Sequence, residues 1–243
     1  MDFRHVHVYS HASADAREIA GRIAEIFPKC RINVRKPFQY DGRIEYAKIS
    51  DTKQPFERQP KPAGESMLYD GFVLQRIFAE AIPAKEAGHV HIILTDLLTC
   101  TFSEDDWRYH GRAVVCGTPS IVSTTGIVEA PAKPREFYLA QLGGMADVAG
   151  LKKKFAGRFV DYGDARMNEA AAAYALQALF FFVSGGEPFC DDKACLIYNA
   201  HWQEELLNMI EKRKLCPFHR KMVNKFNKEM AKNGRFQRQK AAP

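Results

Sequence analysis

FCDDKACLIYNAHWQEELLNMIEKRKLCPFHRKM, residues 189–222, decides how this chain is read. Cys190 and Cys195 stand with four residues between them, and after twenty more come Cys216 and His219, two apart. Two close pairs of soft ligands joined by a short structured segment suit a tetrahedral zinc site, because each tight turn aims two ligands at one ion. Pro217 stiffens the second turn. Half of the chain's six cysteines lie in this segment, which favours a metal site over scattered thiols. Four protein ligands close the coordination sphere. The expectation is therefore one structural zinc per chain, held by Cys190, Cys195, Cys216 and His219.

Immediately upstream, MNEAAAAYALQALFFFV (167–183) is apolar on every side. Such a helix, spanning about 165–184, must be buried all round rather than laid on a surface. Asp164 is a candidate N-cap, and Gly185-Gly186 supplies a left-handed stop. The chain then reaches Cys190, so helix, glycine turn and first ligand form one unit.

Further upstream the pattern changes. FRHVHVY (3–9) alternates like a strand, followed by a helix capped by Ser13 or Asp15 with Ile19, Ile23 and Ile26 on its apolar stripe. Cys30 to Val34 reads as a strand, 40–49 as a strand or hairpin, and the proline-containing 53–64 as a loop. A helix over Tyr69 to Ile82 precedes HVHIIL (89–94), the most apolar strand and the expected centre of a sheet. After 101–109, segments 112–116 and 120–128 read as strands near the sheet's edge. The order β-α-β then α-β-β predicts an α/β fold: a mixed sheet with packed helices over 1–130, a helical, zinc-stapled part over 131–220, and a basic tail over 221–243. Pro131 and Pro134 mark the first boundary.

The 243 residues are 46% hydrophobic and 26% charged, ordinary for a globular protein. No signal-peptide run opens the chain, and no apolar stretch reaches the roughly 20 residues of a membrane span. Cys30, Cys100 and Cys116 show no disulfide framework, which points to a reducing cytoplasm. The net charge of +6 is uneven: residues 211–240 carry eleven Lys/Arg against two acids, leaving the remainder slightly acidic. Met222, Val223, Phe226 and Met230 give that tail an amphipathic spacing, suited to RNA or an acidic surface.

From the helix onward the sequence resembles the archaemetzincins, zinc-dependent peptidases of the metzincin type. In that family a helix bearing H-E-x-x-H-x-x-G-x-x-H leads into a cysteine, four residues, a second cysteine and a Met-turn, and a Cys-Pro-x-Cys closes a structural zinc site. Laid on this chain, the cysteines fall on Cys190, Cys195 and Cys216, with His219 replacing the last, and the motif glycine falls on Gly186. The three motif histidines fall on Leu179, Val183 and Phe189, the catalytic glutamate on Phe180, and the Met-turn methionine on Ile197. None of these side chains offers a lone pair to a metal or a carboxylate to activate water. The resemblance thus implies a metzincin-like fold and a structural zinc, with a hydrophobic plug where the active site would be.

Other candidates carry less. His5, His7, His89 and His91 sit on two strands expected to be neighbours and could gather into a second metal site. Glu104, Asp105 and Asp106 read as a solvated turn, and Gly143-Gly144 lacks the rest of a nucleotide fingerprint. Trp202, Leu206, Leu207 and Ile210 predict a helix across the zinc excursion with its stripe inward. The reading that results is a zinc-binding, non-hydrolytic protein with protein partners, a scaffold or accessory subunit. Its rivals are a nucleic-acid or ribosome-associated module acting through the tail, and a metallopeptidase with unusual ligands.

Overall fold

The structure, a computed structural model, describes residues 2–37, 42–49, 67–144 and 147–240, with the backbone alone for residue 2 and residues 233–240. The expected loop at 53–64 lies outside the described residues. Strands β1 (Asp2–His11), β2 (Arg31–Arg35), β4 (His89–Thr95), β7 (Val114–Val115) and β8 (Ser120–Ser123) make a five-stranded sheet of order β2-β1-β4-β8-β7. All pairs in it are parallel except β7 with β8. A second, three-stranded sheet, order β3-β5-β6, joins β3 (Leu68–Asp70), β5 (Leu98–Ser103) and β6 (Arg108–Arg112).

Helices cover both faces of the larger sheet. Val6, Val8, Val90, Ile92, Leu94 and Val122 pack against α1 (Ala16–Ile26) and α6 (Met167–Ser184). Tyr9, Ile93 and Ile121 point the other way, onto Leu74, Ile77 and Phe78 of α2 (Gly71–Glu80). Burial on both sides explains why β4 reads as a continuous apolar run rather than an alternation. Asp15 settles the start of α1, its carboxylate accepting from the amides of Arg17 and Glu18. Asp70 does the same for α2.

In α6, Met167 and every residue from Ala170 to Phe180 are buried, and Gly185 ends the helix at φ 81°. Its N-cap is Arg166, not Asp164. The Asp164 carboxylate instead accepts from the Arg166 amide and guanidinium, which fixes the turn before the helix. The remaining helices are α3 (Thr124–Glu129), α4 (Arg135–Leu142), α5 (Val148–Lys154), α7 (Gln203–Lys212) and α8 (Pro217–Lys240). The main core draws on Val6, Phe180, Leu206 and Phe226 alike, so β1, α6, α7 and α8 share it. No helix among the described residues is long and apolar enough to cross a membrane.

Three expectations fail locally. Arg43–Ala47, inside the predicted strand at 40–49, is a 3-10 helix, and Lys48 alone bridges to Tyr69. Arg112 ends β6 in the hairpin of the second sheet, and β8 lies inside the first, with β7 at its edge. The predicted strand 120–128 stops at Ser123. Thr124, Thr125, Ile127 and Val128 favour strand by their β-branching, but the Ser123 hydroxyl accepts from the Gly126 amide at 2.8 Å and caps α3. Gly126 permits the turn, because a Cβ there would lie 2.1 Å from the Arg112 carbonyl oxygen.

That contact yields a paired test. Gly126→Ala is expected to lower unfolding stability in urea by about 2–3 kcal/mol, since backbone must shift to admit the methyl. Gly21→Ala, whose Cβ would meet nothing within 4 Å in α1, should instead raise it by about 0.5–1 kcal/mol through helix propensity.

Candidate metal centre

The two halves of the Cys/His constellation are built by different devices. The Asp192 carbonyl accepts from the Cys195 amide and its carboxylate from the Ala194 amide, closing the turn between Cys190 and Cys195. Helix α7 then carries the chain away. Arg213, at φ 49°, reverses it, and the Leu196 amide donates to the Lys214 carbonyl at 2.6 Å. That bond lays the returning strand beside Cys195. Cys216 takes the N-cap position of α8: its carbonyl accepts from the Arg220 amide, and its sulfur from the His219 amide at 3.5 Å. Pro217 occupies the first helical position, where a missing amide proton costs nothing.

The four ligand atoms lie within 4.8 Å of one another. Cys190 Sγ stands 3.8 Å from Cys216 Sγ, and His219 Nδ1 stands 3.8 Å from Cys195 Sγ and 3.1 Å from Cys216 Sγ. Zinc–sulfur bonds of about 2.3 Å arranged tetrahedrally require sulfur–sulfur edges of about 3.8 Å, so the donor set and spacing fit zinc. Amides of Asp192 and Cys216 each donate to a sulfur, Cys190 and Cys195 respectively, at 3.4 Å. Such bonds stabilise thiolate, as does the N-terminus of α8 beside Cys216. Without a cation, burial pushes the Cys190 thiol up to about 12, raises Cys195 and lowers His219. A bound dication reverses that preference for the thiols. Among the described residues no other group of three or more His, Cys, Asp or Glu side chains converges in this way.

Helix α6 braces the cluster. Phe180, fully buried, sets its ring edge-on to His219 at 5.3 Å and to Phe27 at 5.7 Å. Leu179 is buried beside it, Val183 is half-buried, and Phe189 is 41% exposed. Phe189 lines a cleft of about 270 Å3 together with His110, Arg112, Glu129, Tyr174, Asn199 and His201. The sequence reading missed that cleft, whose residues come from β6, α3, α6 and the loop before α7. No spacing signal joins them. Trp202, expected inward, is 41% exposed, while Leu206 and Ile210 do face the core.

The four strand histidines do meet, as a stack rather than a ligand shell. Rings of His5 and His89 lie 4.5 Å apart, and those of His7 and His91 4.9 Å apart. Hydrogen bonds take both ring nitrogens of His7 and His91 and Nδ1 of His89. Arg35 Nε donates to His7 Nδ1, and His7 Nε2 pairs with His89 Nδ1 at 2.9 Å. Tyr9 donates to His91 Nδ1, whose Nε2 donates to the Glu86 carbonyl. The turn at Ala84–Glu86 thereby holds His91 through the Glu86 carbonyl.

The fold is thus mixed α/β, with a clustered ligand set of three cysteines and a histidine. The family model described as "Probable metallopeptidase family (DUF6775)" matches residues 2–226, so the chain belongs to that family. The crystal structure of a zinc-dependent peptidase from Methanocorpusculum labreanum (strain Z) matches with a TM-score of 0.51 and 11% identity. The match covers 90% of this chain and 99% of that one. At that identity the likeness shows the fold. No curated protein matches.

The histidine stack makes stability pH-dependent. Burial, the Arg35 guanidinium and His91 hold His7 down at about 4, against an ordinary value of about 6.5 when unfolded. Below 6.5 the unfolded chain takes the proton first, so stability is intact above pH 6.5 and falls between 6.5 and 4, by at most about 3 kcal/mol from this group. Chemical denaturation at pH 7.5 and 4.5 should show His7→Gln losing less stability on acidification than the wild type.

Proposed function

We propose that this chain is a non-hydrolytic, archaemetzincin-like member of its family, a zinc-stapled accessory subunit that works by binding. Zinc in the Cys190, Cys195, Cys216 and His219 shell would supply cross-linking, with all four positions taken by protein and none open to water. The observation that carries the reading is the apolar character of the last turns of α6, which touch that shell through Phe180. Where the resemblance places two histidines and a glutamate, the helix presents Leu179, Phe180 and Val183, and Phe180 packs on the ligand His219. The solved zinc-dependent peptidase of the same fold supports zinc as the metal.

Zinc content is the direct check. Elemental analysis of the purified protein should give one zinc per chain. Cys190→Ser and Cys216→Ser should release it and lower the melting temperature sharply, because ligand binding energy in a closed site is folding energy. Folded, freshly purified protein without zinc would refute the staple.

Hydrolysis is the second check. Incubation with a mixed peptide library should give no cleavage above a chelator-treated sample. A relocated hydrolytic set would have to draw on the cleft, so His110→Ala, Glu129→Gln and His201→Ala are the informative variants. Reproducible cleavage removed by one of them would establish the alternative, a metallopeptidase with unusual ligands.

A further inference from the structure

The charged face of α8 differs from the rest of the surface. Elsewhere many cations are neutralised nearby. Arg22 and Arg213 share Glu169, Arg158 binds Glu136 and Glu204, Lys193 binds Glu205, and Lys152 binds Asp161. On α8 the buried side, Val223 and Phe226, is seated in the core, where Phe226 meets Phe3 and Phe27 edge-on. The exposed side carries Arg220, Lys221, Lys225, Lys228 and Lys232, and among the described residues none of these side chains forms an ion pair. Glu229 is the one acid between residues 217 and 232.

The four lysines recur at intervals of four, three and four residues. At about 100° per residue they fall within an arc of about 60°, directly opposite the buried face and about 16 Å long. Like charges three and four residues apart repel and destabilise a helix, and Glu229, four residues from Lys225 and three from Lys232, is the one acid on the helix placed to offset that cost. A polyanion outside the chain would offset the rest.

We infer that this lysine ridge is a docking surface for the phosphate backbone of double-stranded DNA, with α8 laid in the major groove. A B-form major groove, about 12 Å wide, admits an α-helix, whereas the deep, narrow groove of A-form RNA does not. Single strands are gripped by successive stacked aromatics, and the exposed face of α8 offers Phe218 alone. An acidic protein face fits less well, because interface centres are apolar or aromatic and depleted of lysine. The inference deepens the binding role proposed above but holds whether or not the chain cleaves peptides.

The test uses the full chain and a fluorescein-labelled 20-base-pair DNA duplex, read by anisotropy at 50, 100 and 200 mM NaCl. Neutralising about four phosphates predicts a loss of about a hundredfold in affinity across that range. Lys225→Gln should lower the log–log salt slope by about one. The quadruple variant Lys221→Gln, Lys225→Gln, Lys228→Gln, Lys232→Gln should keep its zinc and circular dichroism yet lose DNA binding. Should the quadruple variant fold poorly, the single-variant slope carries the decision. The inference is overturned by any of four results: no DNA binding at 50 mM, an unchanged slope in Lys225→Gln, tighter binding of an RNA duplex, or displacement by poly-glutamate as effective as by unlabelled DNA. The last would reassign the face to an acidic protein. Zinc loss alone leaves these outcomes distinct from failure of the staple.

Discussion

Burial of α6 on all sides is the constraint on which the molecule depends. A helix without a polar face needs partners everywhere, and the chain supplies them from distant stretches. The sheet contributes Val6, Val90 and Val122, α1 contributes Ile19 and Ile23, and α7 and α8 contribute Leu206, Val223 and Phe226. Fully buried aromatics in such a position each hold about 3–5 kcal/mol against truncation. Removing any covering element would therefore expose α6 and lose more than the element's own contacts.

The Cys/His cluster sits where this burial ends. Gly185 stops α6, the chain turns, and Cys190 arrives next to the Phe180 ring and His219. Structural zinc sites bind with apparent free energies of about 10–16 kcal/mol, comparable with the whole stability of a typical domain at about 5–15 kcal/mol. On that scale the proposed staple would govern whether α7 and α8 stay on the core. The same position joins the last turns of α6 to the cluster. Leu179 and Phe180 are buried there, and the Phe180 ring packs edge-on against His219.

Charge is distributed to match. Glu169 on α6 receives both Arg22 from α1 and Arg213 from the end of α7, so three elements are tied at one carboxylate near the core. Such partly buried links are screened less by salt than surface pairs. A ridge of four lysines with no ion pair among the described residues lies on the outer face of α8, whose inner face completes the hydrophobic core. One helix thereby serves stability and surface chemistry at once, separated by its own periodicity.

Much of this was legible in the sequence, because its signals are local. The paired spacings around Cys190 and His219, the unbroken apolar run of α6 and its Gly185 stop each lie within a few turns of chain. The strands β1, β2 and β4 and the helices α1 and α2 followed from short-range periodicity in the same way. Tertiary structure decided what short-range pattern cannot. Residues 124–128 carry strand-forming side chains, yet the Ser123 cap and the approach of Gly126 to the Arg112 carbonyl make them helix. His5, His7, His89 and His91 stack across β1 and β4, where hydrogen bonds from Arg35 and Tyr9, and to the Glu86 carbonyl, orient His7 and His91. The second sheet and the cleft beside Phe189 join residues tens of positions apart. Their proximity is set by packing free energy summed over the whole chain, which no window of sequence contains.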